Sequence, residues 1–354
     1  MDLLKKAVDV AFDKKIQPTN FLANLFKPVY LKGIKVEIHG RSIKQVYAVD
    51  TKVGEAGRLV ELSSHDRKEF VVPEYNNYGR ITETELFEAN IGQTVYEQSI
   101  ADLGNIITDY QESISATHRI SEEKQASDGL FYGRIVLADG SKIEFNKKTT
   151  HDIKVADEWT KETSDPLSEI ENACNLCVQD GKLITSEFNM IFESKGLSAF
   201  LSNPKIKNSS NWNSGVKRTD INLPKEISAG VAFHGQITAG QYVVNILSYN
   251  AIYEIPKGFN FENEGKKYSF IPTGAAAILP PDPNFKRYYG AIADVTEKTT
   301  ALTVSTNLKS VEQLNYAYDC QENGSFWIEA GVKTRPLLVP VDVDTFATIK
   351  GIVK

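Results

Sequence analysis

The chain has 354 residues, 41% of them apolar and 24% charged, so it can bury a sizeable core and lies outside the disordered class. Forty basic residues against 46 acidic ones leave a net charge of −6, which argues against the basic surface of a dedicated DNA-binding protein. No apolar run approaches the ~18 residues of a membrane span, and three cysteines make no disulfide framework, so a soluble chain from a reducing compartment is expected, with one large domain or two to three small ones.

Met1 to Lys15 is interrupted by Lys5, Lys6 and Asp9 and lacks the unbroken apolar stretch and small-residue cleavage site of a secretory signal. Leu4, Val8 and Phe12 step by four and predict a short amphipathic helix, ended by Pro18. Thr19 and Asn20 then stand as caps for a second short helix carrying Phe21, Leu22, Leu25 and Phe26. Such helices in a separate arm are marginal unless their apolar side docks on something.

From Ile34 the period becomes two, with Ile34, Val36 and Ile38 alternating with Lys35, Glu37 and His39. Gly54 and Gly57 punctuate a turn before Arg58, and a second extended run, Lys68 to Val72, closes at Pro73. Residues 34–81 therefore read as one long two-stranded excursion. A lone hairpin is marginal in water. This one is too charged to fold on itself, so it must lie on its own chain's body or on a neighbouring subunit.

Tyr96, Ile100, Leu103, Ile107, Tyr110 and Ile114 step alternately by four and three, the stripe of a long helix. Proline is absent from Ile91 to about Asp128, which gives a rod on the order of 50 Å. Gly104 weakens it by about 1 kcal/mol relative to alanine, and Gly129 marks its expected stop. The stripe spans fewer than three heptads, so packing on the chain's own sheet fits better than zipping to a partner. Asp139-Gly140 between two β-rich runs, 133–138 and 141–145, predicts a hairpin with a type I′ turn.

A polar boundary over 147–164 precedes Asp165-Pro166, an N-cap and first helical position for a helix carrying Leu167, Ile170 and Ala173. Strands are expected at 184–192, 242–247, 267–271, 275–279, 336–340 and 345–353, a short helix at Leu197 to Leu201, and a surface loop over 202–222. Helices and strands come in blocks rather than in βαβ alternation, which places the chain in the α+β class.

Chemistry-bearing motifs are sparse. Cys174-Asn175-Leu176-Cys177 is a single pair, short of the four ligands of a structural zinc site, and sits toward the end of its predicted helix rather than after a strand. These thiols read as core or surface residues. His39, His65, His118, His151 and His234 are scattered without a partner at a recognised spacing, and no nucleophile elbow, zinc-protease or phosphate-loop motif is present. No catalytic residue, metal or cofactor is therefore assigned. Paired lysines such as Lys147-Lys148 and Lys266-Lys267 do not cluster, and the fifteen tyrosines and seventeen phenylalanines are spread as core and interface filling.

Several segments, in order, resemble the lambda-like head protein E family of tailed-bacteriophage major capsid proteins. Pro18-Thr19-Asn20-Phe21-Leu22-Ala23-Asn24-Leu25-Phe26 is similar to the family's N-terminal Pro-x-x-Phe-Leu-x-x-Leu-Phe segment, followed by the strand Lys35-Val36-Glu37-Ile38. Glu158-Trp159 with Asp165-Pro166, the stretch Asn263 to Pro272, and Pro336-Leu337-Leu338-Val339 with Asp342 and Phe346 resemble further family patterns.

The resemblance implies a tailed-phage capsid fold: an N-terminal arm at 1–33, an extended loop at 34–84 and a peripheral domain at 85–164 with a spine helix at 92–128 and a hairpin at 131–146. An axial domain at 165–330 and returning C-terminal strands at 331–354 complete it. It implies no enzymatic activity, and a subunit that forms hexamers and pentamers enclosing double-stranded DNA without sequence-specific binding. The expected location is the virion capsid, assembled in the bacterial host cytoplasm, with scaffold, portal and decoration proteins as further partners and no membrane. Assembly contacts would fall on Leu4, Val8, Phe12, Phe21, Leu22, Leu25, Phe26, Gly54, Gly57 and Arg58. A cellular compartment shell of the same fold, a phage tail subunit and a thiol-dependent enzyme using Cys174 and Cys177 are the alternatives.

Overall fold

A computed structural model describes residues 20–43, 63–82, 100–137, 140–210, 219–228, 230–257, 264–295, 306–322 and 325–353. After a 3-10 turn at Ala23–Leu25 come β1 (Phe26–Tyr30), β2 (Lys35–Ile43), β3 (Ser63–Val71), β4 (Tyr75–Thr82) and the long helix α1 (Ile100–Tyr132). Then follow β5 (Arg134–Val136), β6 (Lys142–Glu144), β7 (Asp152–Lys154), α2 (Pro166–Gly181), β8 (Glu187–Phe192), α3 (Ser194–Ser202) and α4 (Pro204–Ser210). Next are β9 (Thr219–Ser228), β10 (Val231–Ala239), β11 (Tyr242–Tyr249), β12 (Ile252–Glu254), β13 (Lys267–Ser269), β14 (Ala275–Leu279) and β15 (Phe285–Tyr289). The chain closes with β16 (Ile292–Val295), β17 (Thr306–Lys309), β18 (Leu314–Glu322), β19 (Ser325–Thr334), β20 (Pro336–Pro340) and β21 (Ala347–Lys350). The class is α+β, as the blocks of elements imply.

The largest sheet has the order β7-β21-β14-β8-β11-β10-β9 and is covered on both faces. Phe188, Met190 and Phe192 of β8 join Ala276 and Ile278 of β14 in one core under α2 and α3. Ile191, Ala275, Ala277 and Leu279 point the other way, into a second core shared with Ala126, Leu130 and Phe131 of α1. That two-sided cover explains why β14, Ala-Ala-Ala-Ile-Leu, is buried at every position. α2 begins as its Asp-Pro pair predicts, with the Asp165 side chain accepting the Ser168 amide at 3.3 Å. Trp159 plugs the first core against Phe192 and Phe200, at ring distances of 6.1 and 5.7 Å.

A three-stranded sheet, β1-β15-β20, lies between α1 and a small core formed by β5, β6 and the root of the β2–β3 hairpin. A second, β18-β19-β4, packs on the first half of α1. β2 and β3 pair only with each other among the described residues, from Lys35 opposite Val71 to Ile43 opposite Ser63.

Several expectations are corrected. The second short helix is a single 3-10 turn, and Phe26 opens a strand, because the backbone there pairs in parallel with Phe285. The two-stranded excursion stops at Val71; after Pro73 the chain leaves it, and Tyr75–Thr82 pairs with β19 instead. α1 does not stop at Gly129 but runs to Tyr132, and Gly133, at φ +64°, turns the chain out of it. In the hairpin after it the Leu137 amide donates to the Ser141 carbonyl at 2.9 Å and Gly140 stands at φ +81°, while residues 138 and 139, on which the expected type I′ turn also rests, lie outside the described residues. The surface loop over 202–222 contains α4 and the start of β9. The strand expected from Ile184 begins at Glu187 and leaves Ile184 fully in solvent, while the one expected over 345–353 is confined to Ala347–Lys350.

Candidate assembly surfaces and the polar seam of the long helix

α1 touches more of the molecule than any other helix, and most of what it presents beyond its first turns is polar and buried. Leu103, Ile107 and Tyr110 pack on β4 and β19 with Ile81, Ile328 and Ala330, the Tyr110 ring lying directly on Gly79. From Gln111 onward the inward positions change character: Gln111, Ser115, His118, Glu122, Glu123, Gln125 and Ser127 are all buried. A buried polar group must find a partner or cost roughly 1–3 kcal/mol, and most of these groups reach surrounding elements, although Gln111 Oε1 and His118 Nδ1 are buried without a partner. Gln111 Nε2 donates to the Tyr316 carbonyl at 3.0 Å, and His118 Nε2 lies 2.9 Å from Asn77 Oδ1. Gln125 Oε1 accepts the Leu338 amide at 3.2 Å, while its Nε2 donates to the Tyr75 hydroxyl at 2.9 Å and the Pro336 carbonyl at 3.3 Å. Ser127 donates to the Phe270 carbonyl.

Adjacent acids serve different neighbours. Glu122 pairs with Arg287 at 3.1 Å, a nearly buried ion pair on β15. Glu123 receives the Leu22 and Ala23 amides, one on each carboxylate oxygen, both at 2.8 Å. Burial raises both carboxyls; Arg287 opposes this at Glu122, and the two amides with the Tyr249 hydroxyl oppose it at Glu123. Burial with no compensating charge pushes His118 down to about 4. At the end of the helix two lysines meet the last carbonyls, as the helix dipole favours. Lys147 donates to the Leu130 carbonyl at 3.0 Å and Lys350 to the Phe131 carbonyl at 2.6 Å. Lys147 also binds Asp152 at 2.7 Å and Thr348 at 2.8 Å; burial lowers it to about 8, against the pull of Asp152.

Of the residues singled out in the sequence, Leu4, Val8, Phe12, Gly54, Gly57, Arg58 and Tyr96 lie outside the described residues, as does the side chain of Ile100. Leu22 and Phe26 are buried in the core under α1, with Phe21 and Leu25 packed against it. They are thus held by their own chain. Ile114 is half-buried. Glu123, Gln125 and Arg287 carried no sequence signal beyond a charged or polar letter on a helix or strand.

Cys174 and Cys177 sit fully buried in the first core, where burial pushes the Cys174 thiol up to about 12 and Cys177 further up. Neither is placed for nucleophilic work, which needs a lowered thiol pKa. His151 is buried, its Nδ1 2.8 Å from the Phe346 carbonyl and its Nε2 3.1 Å from Asp180. Among the described residues no group of three or more His, Cys, Asp or Glu side chains is placed to hold a metal ion. No described helix is long and apolar enough to cross a membrane.

No family model and no curated protein matches the sequence. Solved structures do match. A protein named as the capsid protein of a prophage of Escherichia coli CFT073 has a TM-score of 0.63 at 13% identity, over 98% of this chain and 96% of that one. The capsid protein in the structure of cyanophage P-SCSP1u has a TM-score of 0.49 at 9% identity, over 95% and 89%. The mature capsid of bacteriophage PhiM1 gives 0.48 at 9%, over 96% and 89%. The first likeness fixes the fold, which is the phage capsid fold expected from the sequence.

Proposed function

We propose that the chain is the structural subunit of an icosahedral viral capsid, a tailed-phage major capsid protein that self-assembles into hexamers and pentamers around packaged double-stranded DNA. The observation that carries this reading is the end-to-end likeness to the prophage capsid protein, which leaves almost none of either chain over. The pairing of the β2–β3 hairpin supports it. Both outer edges are open among the described residues, and a two-stranded ribbon of this kind is stable only when something lies against it. A neighbouring copy is the natural cover. In this reading 1–33 is the arm, 34–84 the extended loop, 85–164 the peripheral domain, 165–330 the axial domain and 331–354 the return. The subunit is not an enzyme, and its partners are its own copies together with scaffold, portal and decoration proteins in the host cytoplasm. Its net charge of −6 suits a container that does not grip its DNA.

The test is negative-stain microscopy of the purified protein, where closed shells tens of nanometres across are expected. Tubes would point to a tail subunit, and a persistent monomer at high concentration would overturn the reading. Nuclease-protected DNA inside particles from infected cells separates a virion from a cellular compartment filled with enzyme. Deleting residues 45–65 is expected to leave a folded subunit that assembles poorly; unimpaired assembly would remove the role given to the loop.

A further inference from the structure

The rim of a sheet invites a further strand, and proteins blunt it with proline, lysine, bulges or a cover. Several strands here are blunted in that way. β1 carries Lys27 and Pro28. β9 carries Pro224 and Lys225, and its pairing with β10 slips twice. On β20, Gln125 of α1 takes up the Leu338 amide and the Pro336 carbonyl. β18 has no proline, lysine or arginine, and it pairs with β19 without a break from Leu314 opposite Lys333 to Glu322 opposite Ser325. It is the last strand of its sheet among the described residues. Bonded and open positions alternate along such a strand. Only two residues separate Glu322 from Ser325, and a connection of that length closes on a hydrogen-bonded pair. Counting back by twos, Tyr318 and Tyr316 bond to β19, while Ala317 and Asp319 turn their amides and carbonyls outward. Asp319 is exposed, and Tyr318 is 50% exposed. Tyr316 is drawn the other way: its ring lies over Gly331 and its hydroxyl donates to Asn76 at 2.8 Å.

We infer that β18 pairs antiparallel with β18 of a second copy, about a two-fold axis through Tyr318, and so joins two sheets into one. In that register Ala317 of each copy exchanges both backbone bonds with Asp319 of the other. The two Tyr318 side chains face each other across the axis, with their α-carbons about 4.5 Å apart. The strand's own sequence selects this occupant. Two identical antiparallel strands overlap in full only when centred on their middle residue, which in Leu314–Glu322 is Tyr318. Centred there, Asp319 stands opposite Ala317 and Glu322 opposite Leu314, so no charge meets a like charge, and an aromatic meets an aromatic. Centred one residue later, Asp319 would face itself. A contact of this kind is isologous and closes with two copies. It goes beyond the shell reading and does not require it, since a dimer already contains it. The competing occupant is a different strand of a neighbour, such as β3 with Arg67 and Lys68.

The experiment uses the full-length chain, with Cys320 replaced by serine to leave only buried native thiols. On mild oxidation, Tyr318→Cys is expected to form disulfide-linked dimers about tenfold faster or more than Tyr78→Cys, because only the first holds its thiols in register. Tyr78 is the control because it is 51% exposed and stands on β4, at the other side of the same sheet. The two rates are read on denaturing gels, from free protein or from assembled particles alike. In sedimentation equilibrium, Tyr318→Lys and Tyr318→Glu each set like charges across the axis and are expected to weaken dimerisation about tenfold or more, while their mixture recovers a heterodimer. That recovery separates a lost contact from a lost fold. Equal linking of Y318C and Y78C, linking of the parent chain through its native Cys320, or a mixture of Y318K and Y318E that associates no better than either variant alone would overturn the proposal. Shells without the Y318C link would leave the shell reading standing and remove this contact, and the link without shells would do the reverse.

Discussion

Replacing Glu123 tests whether the N-terminal segment is held by the long helix as described. The carboxylate accepts two amides, Leu22 and Ala23, each at 2.8 Å, and all three residues are at most 1% exposed. A hydrogen bond to a charged acceptor contributes about 1.5–3 kcal/mol, and a stranded buried donor costs about 1–3 kcal/mol. Glu123→Gln keeps one acceptor oxygen and turns an NH2 group toward the other amide. One bond is lost and one donor stranded, while relief of the buried charge, visible in the raised carboxyl, returns part of the cost. A net loss of about 2–3 kcal/mol is expected for glutamine, and of about 4 kcal/mol for alanine, which strands both amides and opens a cavity. Urea unfolding at pH 7 reads the global loss. Hydrogen exchange at the Leu22 and Ala23 amides reads the local one, with acceleration of about thirtyfold expected for glutamine. Stability within about 0.5 kcal/mol of the parent, with both amides still protected, would refute the clamp.

Three further outcomes follow from the same geometry. His118, held down to about 4 in the fold against an ordinary value of 6.5, binds its proton more readily when unfolded; its contribution is present above pH 6.5 and is lost as pH falls toward 4. The full loss is about 3 kcal/mol, and H118Q should flatten that acid limb in urea titrations; an unchanged limb would place the acid sensitivity elsewhere. Lys147→Met removes the donor shared by Leu130, Asp152 and Thr348 and should cost about 3–5 kcal/mol in thermal or urea unfolding, with a near-neutral result arguing that water replaces the ammonium. In the native protein a thiol reagent should modify Cys320, which is partly exposed, and leave the buried Cys174 and Cys177 unreacted until unfolding; rapid labelling of all three would contradict the core placement.

What was legible in the sequence was whatever is decided locally. The two-residue alternation at 34–38 is a strand because one face of the hairpin root, Val36 with Phe70, packs on Phe145 and Leu337. The Asp165-Pro166 start is legible because a cap acts within three residues. What failed depends on distant partners. Phe26 follows a turn and looks helical, but Phe285, far along the chain, recruits it into a sheet. β18 was missed because its alternation is inverted. Tyr316 and Tyr318 stand over Gly331 and beside Glu329, Asn315 and Ala317 alternate inward, and Asp319 is exposed, so no apolar side stands out. The polar seam of α1 was missed for the same reason. Glu122, Glu123 and Gln125 read as a solvated face until strands from the two ends of the chain close over them.

In the proposed shell, that seam would bear on how the subunit works. An apolar helix of this length would be held by area alone, and its neighbours could slide along it at little cost, because apolar packing is tolerant of small shifts. Here each turn addresses a different element through a directional bond: Gln111 the β18 backbone, His118 β4, Glu122 β15, Glu123 the N-terminal segment, Gln125 β20. Any shift of one element along the helix strands further buried groups at once. The helix therefore fixes register more than it adds stability. A shell built from many copies needs that property, since an error in the angle between two parts of a subunit is repeated at every contact around the ring. On this argument, seam variants that still fold, H118Q among them, should give shells of mixed diameter rather than none, and uniform particles from every such variant would show that register is set elsewhere.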